Sequence, residues 1–396
     1  MFDGLLQKMC KCFMLSLVLA GLLLSAQVAL AQAKTSPELN AAIARMETLI
    51  AAELAKDNLG SVTVGIVSGP DLVWAKSFGY ADMEKKVPAT VDSVYRIGSI
   101  TKQFTALMLL QLVDDGKLHF TDTVEKYFPD VNKVQGRMPW YPPITIVQLA
   151  TMTSGLDREP EDLPTYLKGP VSEWEKVMIA ALPHVKYAYE PDTHYFYSNI
   201  GYAILGATLG RVAGRPYVDY VAERIFKPLG MTHTAFEPNP GIQANITKGY
   251  DVGRDGKVDS ETPAREHQGR GYKVPNGAIY TTVGDLARFV SFELGEGPET
   301  VLKKKTLADN QTRTNSSTND LRNGYGVGFM VTRRGEFVTY GHGGSVAGYN
   351  ASAVFDLRSK MGVVVLRNVG GGKFNVSTVS ERILQEVAAT KPQARP

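Results

Sequence analysis

The chain has 396 residues, 44% of them hydrophobic and 21% charged, an ordinary globular composition with length for one large domain or two moderate ones. Its formal charge is only +3, and it has neither a dense Lys/Arg run nor a basic stripe with interleaved aromatics, which argues against a nucleic-acid surface. Both cysteines, Cys10 and Cys12, lie near the N-terminus, so beyond them there is no disulfide framework, thiol nucleophile or cysteine metal site.

In chain order, Lys8 and Lys11 flank the start of an apolar run over residues 13–24, too short to span a bilayer comfortably. Ala29-Leu30-Ala31 follows as a small-x-small exit motif. Residues 1–31 therefore read as a secretory leader cut after Ala31, which predicts a periplasmic or secreted bacterial protein with no stable membrane span after cleavage. Ser36 as N-cap and Pro37 in the first turn predict a helix carrying Leu39, Ile43, Met46, Leu49 and Ile50 on one face. Strands are expected over 62–67 and 72–78, split by Gly69-Pro70-Asp71. Helices are expected over 104–113, 144–152, 200–212, 217–226 and 285–294, the last with Thr282 as N-cap. Strands return at 326–332, 336–340, 351–355 and 361–366, before a last helix at Val376–Ala388. The stretch 310–323, rich in Asn, Thr and Ser, reads as a surface loop. Strands at both ends with helices between predict an α+β fold. One antiparallel sheet flanked by helices is built from both chain ends, about 36–100 and 276–396, with an inserted all-α lobe at about 101–275. Pockets form preferentially at such a junction.

Three short motifs can carry chemistry. In Ser99-Ile100-Thr101-Lys102 the i, i+3 spacing on a helix brings an ammonium to a hydroxyl. Serine needs a nearby base, and a buried lysine can be one. A helix start also offers free N–H groups to a developing oxyanion. Alone, the pattern better describes a helix cap with a solvent-facing lysine. Tyr197-Ser198-Asn199 supplies a phenol that a neighbouring lysine would help to ionise, and an amide able to position a substrate amide. Alone, it equally describes core aromatics and a helix cap. His342-Gly343-Gly344-Ser345 follows an expected strand. Its glycines allow close backbone approach, the Ser345 N–H could serve an oxyanion, and His342 could donate to a substrate or place a charge near it. Alone, it equally describes a glycine turn with a surface histidine. There is no G-x-S-x-G elbow, so the His-Gly-Gly run is not the oxyanion loop of an α/β-hydrolase. The other histidines, His119, His184, His194, His233 and His267, have no paired-ligand spacing, so no metal and no other cofactor is expected.

Taken in order, Ser99–Lys102, Tyr197–Asn199 and His342–Gly344 resemble the penicillin-recognising serine hydrolases, above all the class C β-lactamase and S12 peptidase/esterase group, the serine β-lactamase-related family. Arg96-Ile97-Gly98-Ser99, residues 144–156, residues 197–206, Pro228-Leu229-Gly230-Met231 and residues 277–285 are similar to the family's flanking stretches. The resemblance covers residues 40 to 390. It implies a β-lactamase/transpeptidase-like fold with the site between two lobes. It implies that Ser99 attacks an acyl carbonyl, with Lys102 and Tyr197 handling the proton, Asn199 holding the substrate amide, and the Ser99 and Ser345 amides forming the oxyanion hole. The partner is then a small-molecule or peptide acyl substrate; the oligomeric state is left open. His342 stands where most β-lactamases and penicillin-binding proteins have lysine, and Gly343 where they have a hydroxyl, which favours an esterase or peptidase. The other readings are a β-lactamase or D-Ala-directed carboxypeptidase or endopeptidase of cell-wall metabolism, and a non-catalytic peptide or peptidoglycan binder.

Overall fold

A computed structural model describes residues 35–312, 314–316 and 322–391. The expected leader, with Cys10, Cys12 and the Ala31 cleavage point, lies outside the described residues. Helix α1 (Pro37–Leu54) starts as its sequence predicts, the Ser36 hydroxyl accepting from the Leu39 N–H at 3.2 Å with Pro37 at the first position. Strands β1 (Ser61–Ser68), β2 (Asp71–Asp82) and β3 (Val87–Pro88) follow. The middle of the chain holds α2 (Thr101–Asp114), α3 (Ile146–Ala150), α4 (Trp174–Ala181), α5 (Asn199–Ala213) and α6 (Tyr217–Val221). Then come α7 (Val283–Ser291), α8 (Lys304–Gln311), strands β4 (Thr314–Ser316), β5 (Asn323–Gly326), β6 (Met330–Arg334), β7 (Phe337–Val346), β8 (Tyr349–Asp356) and β9 (Met361–Arg367), and α9 (Val376–Ala388).

Nine strands of the described chain form one antiparallel sheet in the order β3-β2-β1-β9-β8-β7-β6-β5-β4. The join between chain ends is β1 on β9, with Val64 opposite Val365. This is the expected α+β architecture. Strand alternation divides the apolar residues between two layers. Val62, Val64 and Ile66 of β1 and Val363 and Val365 of β9 pack with Ile43, Met46 and Ile50 of α1 and Ile383, Leu384 and Val387 of α9. Val364 and Leu366 face the other way, into the larger core with Leu286 and Phe289 of α7. That core also takes α2, whose residues from Thr101 to Leu112 are all buried. Truncating one of its leucines to alanine would cost about 2–5 kcal/mol.

Three local expectations need correction. Residues 326–332 are not one strand: β5 and β6 form a hairpin that turns at Gly328, whose φ of +86° suits glycine. A Cβ there would also collide with Ala106 of α2. Residues 310–323 are not all loop, because α8 reaches Gln311 and β4 pairs with β5. Composition alone reads such a polar stretch as loop, whereas its backbone pairs at the edge of the sheet. The strand expected to stop at Tyr340 runs on as β7 to Val346, so the His342 motif lies within a strand and not in a turn after one.

Candidate active site

Ser99 lies in the 3-10 turn Gly98–Ile100, and Lys102 is the second residue of α2 directly behind it. Lys102 Nζ stands 3.2 Å from Ser99 Oγ. The lysine is fully buried, which removes the reading as a helix cap with a solvent lysine. Its other partners are Asn199 Oδ1 at 2.7 Å and the Asn276 carbonyl at 3.0 Å. Both can only accept. A neutral amine has two N–H groups and one lone pair, so with the two N–H groups given to Asn199 and Asn276 the lone pair faces the Ser99 hydroxyl proton. Burial holds Lys102 well below its usual value, helped by the nearby charge of Lys273.

Asn199 opens α5, and Ser198, not Asn199, caps it, accepting from the Gly201 N–H at 2.9 Å. Asn199 Nδ2 donates to Glu159 Oε1 at 2.7 Å. A carboxylate accepts only, so the Asn199 oxygen must face Lys102. Glu159 also receives Lys273 Nζ at 3.0 Å and the Tyr272 hydroxyl. Burial pushes its carboxyl up, but the Lys273 charge and the hydrogen bonds from Tyr272 and Asn199 outweigh that and hold it below its usual value. Burial lowers Lys273, against the opposing pull of Glu159.

The Tyr197 phenol lies near enough to the Ser99 hydroxyl to be stabilised by it, and Lys102 Nζ lies 4.9 Å from its ring centroid. The expected ease of ionisation is not found. Burial pushes the phenol up by more than the Ser99 hydroxyl brings it down, so Tyr197 keeps its proton.

His342 is buried on β7. Its Nδ1 meets the Gly343 carbonyl, which only accepts, so the proton sits on Nδ1 and Nε2 accepts from the Tyr325 hydroxyl at 3.1 Å. Burial, reinforced by the Lys102 charge, lowers His342 to about 3. Both ring nitrogens are therefore occupied and the imidazole is neutral. The expectation of a charge at this position, or of a donor free for substrate, is corrected on that ground.

β7 pairs with β8 through Val346, but with β6 only as far as Gly341. Beyond Gly341 the strand edge meets the Ser99 turn. A Cβ on Gly344 would overlap the Ile97 carbonyl, and one on Gly98, whose φ is +49°, would lie 2.8 Å from the Ser345 nitrogen. Glycine at these two positions brings the backbones of Ser99 and Ser345 together. A cleft of about 720 Å³ opens here, lined by Ser99, Tyr197, Asn199 and residues 342–345. All eight residues singled out from the sequence thus meet in one place. Sequence reasoning missed Glu159, Lys273, Asn276 and Tyr325. Asn276 directly precedes the 277–285 stretch, a near signal, but no spacing links Glu159 or Lys273 to Asn199. Among the described residues no group of His, Asp and Glu is arranged to hold a metal ion.

Fold and site together define a protein of the β-lactamase fold with a Ser99–Lys102 pair at its cleft. The chain belongs to the Beta-lactamase family, whose profile matches residues 46–388. Protein flp of Staphylococcus aureus (strain MRSA252) is 28% identical over 330 residues, 82% of this chain and 62% of that protein. Beta-lactamase-like protein 2 of Dictyostelium discoideum is 30% identical over 328 residues, 81% of this chain and 57% of that protein. The chain thus spans about three-fifths of the length of these curated relatives. The octameric penicillin-binding protein homologue from Pyrococcus abyssi superposes with a TM-score of 0.73 at 25% identity, over 88% of this chain and 78% of that one. A class C β-lactamase mutant shares the fold with a TM-score of 0.72 at 21% identity, over 89% and 99%.

Proposed function

We propose that this protein is an exported bacterial serine hydrolase that forms an acyl-enzyme on Ser99 and cleaves ester, amide or peptide bonds. The observation that carries the reading is the buried Lys102 Nζ, 3.2 Å from Ser99 Oγ with Asn199 Oδ1 and the Asn276 carbonyl as its other acceptors, so that once deprotonated it turns its lone pair to the Ser99 hydroxyl. Lys102 takes the Ser99 proton as Oγ attacks the acyl carbonyl. The oxyanion forms between the Ser99 and Ser345 amides. Tyr197, still protonated, gives its proton to the leaving atom, and the Lys102 ammonium restores it. Water then enters by the reverse proton path and releases the acid. No step calls for a cofactor.

With a neutral His342 and no hydroxyl at Gly343, β7 offers no side-chain cation or hydroxyl at its middle positions to a β-lactam carboxylate. A carboxylate held from β7 itself is thereby disfavoured, which favours esters, amides and peptides over a β-lactam whose carboxylate is seated on that strand. The test is steady-state turnover of 4-nitrophenyl acetate and nitrocefin by wild type and Ser99→Ala. Acetate turnover that is lost in Ser99→Ala, with little nitrocefin turnover, supports the proposal. Equal turnover by both proteins contradicts it. Export predicts a mature N-terminus near Gln32, read by N-terminal sequencing of the protein recovered from its native cells; an intact Met1 in that protein contradicts export.

A further inference from the structure

Charge in the cleft is unbalanced. Its lining carries the cations Arg158, Lys273 and Lys373 and one carboxylate, Glu159. Lys273 is paired with Glu159 at 3.0 Å. Lys102 is buried below and turned inward to Asn199 and Asn276, and His342 is neutral. Arg158 and Lys373 are the cations here with no side-chain partner among the described residues, and of the two Arg158 is the one stacked beside the Ser99 turn. Its guanidinium makes no hydrogen bond or ion pair among the described residues, and it lies over the Tyr197 ring with Cζ 4.8 Å from the centroid. Its backbone is equally well held, the carbonyl accepting from the Asn199 N–H at 2.9 Å at the start of α5. A guanidinium stacked on an aromatic face is confined in orientation while its donors stay free, and its planar fork matches a carboxylate. The ring under it belongs to Tyr197, which lines the cleft with Ser99.

We infer that Arg158 is the substrate-recognition residue of this cleft and that the preferred acyl substrate carries a carboxylate, which the Arg158 guanidinium binds beside Ser99. The inference rests on the hydrolase reading above and narrows it to anionic substrates. Acyl compounds carry such a group on the acyl side, as in dicarboxylic half-esters, or on the leaving-group side, as in amino-acid and peptide C-termini. A hydrogen bond to an ionised group that is lost on truncation corresponds to roughly a ten- to hundredfold change in binding.

The experiment compares kcat/KM within two isosteric pairs. One pair is the 4-nitrophenyl monoester of glutarate against 4-nitrophenyl pentanoate, with the charge on the acyl side. The other is 4-acetoxybenzoate against 4-methylphenyl acetate, with the charge on the leaving group. Wild type is expected to favour the charged member of at least one pair by about tenfold or more, mainly through KM. Arg158→Gln should bring that ratio down toward one, and Arg158→Lys should fall between, because the charge remains without the fork. Arg158 is exposed, so these variants should fold. The ratio within a pair cancels any general effect of losing the stack on Tyr197. No charge preference in wild type, or a preference that Arg158→Gln keeps, overturns the inference. Hydrolysis of the neutral esters that persists in Ser99→Ala would instead sink the hydrolase reading itself, so the two failures are distinguishable.

Discussion

Asn199 fixes the orientation of Lys102 Nζ beneath Ser99. Its Oδ1 takes an N–H of Lys102 at 2.7 Å, and it cannot turn over because its Nδ2 is given to Glu159 at 2.7 Å. Replacing the amide by a carboxylate would change the charge and not the shape. Asn199→Asp places an anion against the lysine, favours the ammonium and faces Glu159 with a like charge. We expect kcat/KM at neutral pH to fall by about a hundredfold or more, the scale of general-base catalysis, with partial recovery as pH rises. Pre-steady-state acylation across pH checks this; a variant as fast as wild type at neutral pH contradicts it.

Lys273 acts on the same proton through its charge. The base must be neutral to work, so a depressed Lys102 extends activity toward lower pH. Lys273→Met removes a nearby cation and leaves Glu159 uncompensated, and both changes raise Lys102. The acidic limb of kcat/KM should therefore move to higher pH, while Lys273→Arg should keep it in place. His342, at about 3, adds no limb of its own between pH 5 and 8. An acidic limb that stays put in Lys273→Met contradicts the charge argument.

Gly344 lets β7 approach the nucleophile turn. In Gly344→Ala the new methyl overlaps the Ile97 carbonyl, so strand and turn must separate. That separation spoils whatever the Ser99 and Ser345 amides do jointly for an oxyanion. The expected loss is about 10²–10³ in kcat, read with circular dichroism to show that the fold remains. Full activity in a folded Gly344→Ala protein would show that the close approach is not needed.

Glu293 tests stability far from the cleft. It is buried beside Gln311, and burial raises its carboxyl to about 7. A carboxyl with a raised folded value favours the folded state at low pH, and that contribution is lost as pH climbs from about 4.5 through about 7. Glu293→Gln should remove this dependence and stabilise the protein at pH 8 by on the order of 2 kcal/mol. Thermal melts of both proteins at pH 5 and pH 8 measure it. A wild-type-like loss of stability between those values in Glu293→Gln would contradict the assignment.

The sequence shows the fold wherever one period dominates. Residues 37–54, 376–388 and the runs at 62–67 and 361–366 read directly, because periodicity and caps agree there with the tertiary structure. It misses the turn at Gly328, where an apolar pattern hides a backbone reversal at a positive φ packed against Ala106. It also misses the continuation of β7 through three glycines, since strand propensity is poor there and the pairing partner, residues 349–354, decides. Ser99, Lys102, Tyr197 and Asn199 are legible as motifs. Glu159, Lys273 and Tyr325 are not, because their roles come from contacts across 114 and 17 positions of chain that no local spacing encodes. The protonation states of Tyr197 and His342 are likewise set by burial, which composition does not reveal.

The central claim is that Ser99 becomes covalently acylated with Lys102 as its base. Intact-protein mass spectrometry after brief exposure to a fluorophosphonate probe tests it most directly. Wild type should gain the mass of one phosphonyl adduct at neutral pH, mapped by peptide analysis to Ser99. Lys102→Met should label at least a hundredfold more slowly, and Ser99→Ala should not label at all. Labelling of Ser99→Ala at the wild-type rate, or an adduct mapped to another residue, would contradict the account.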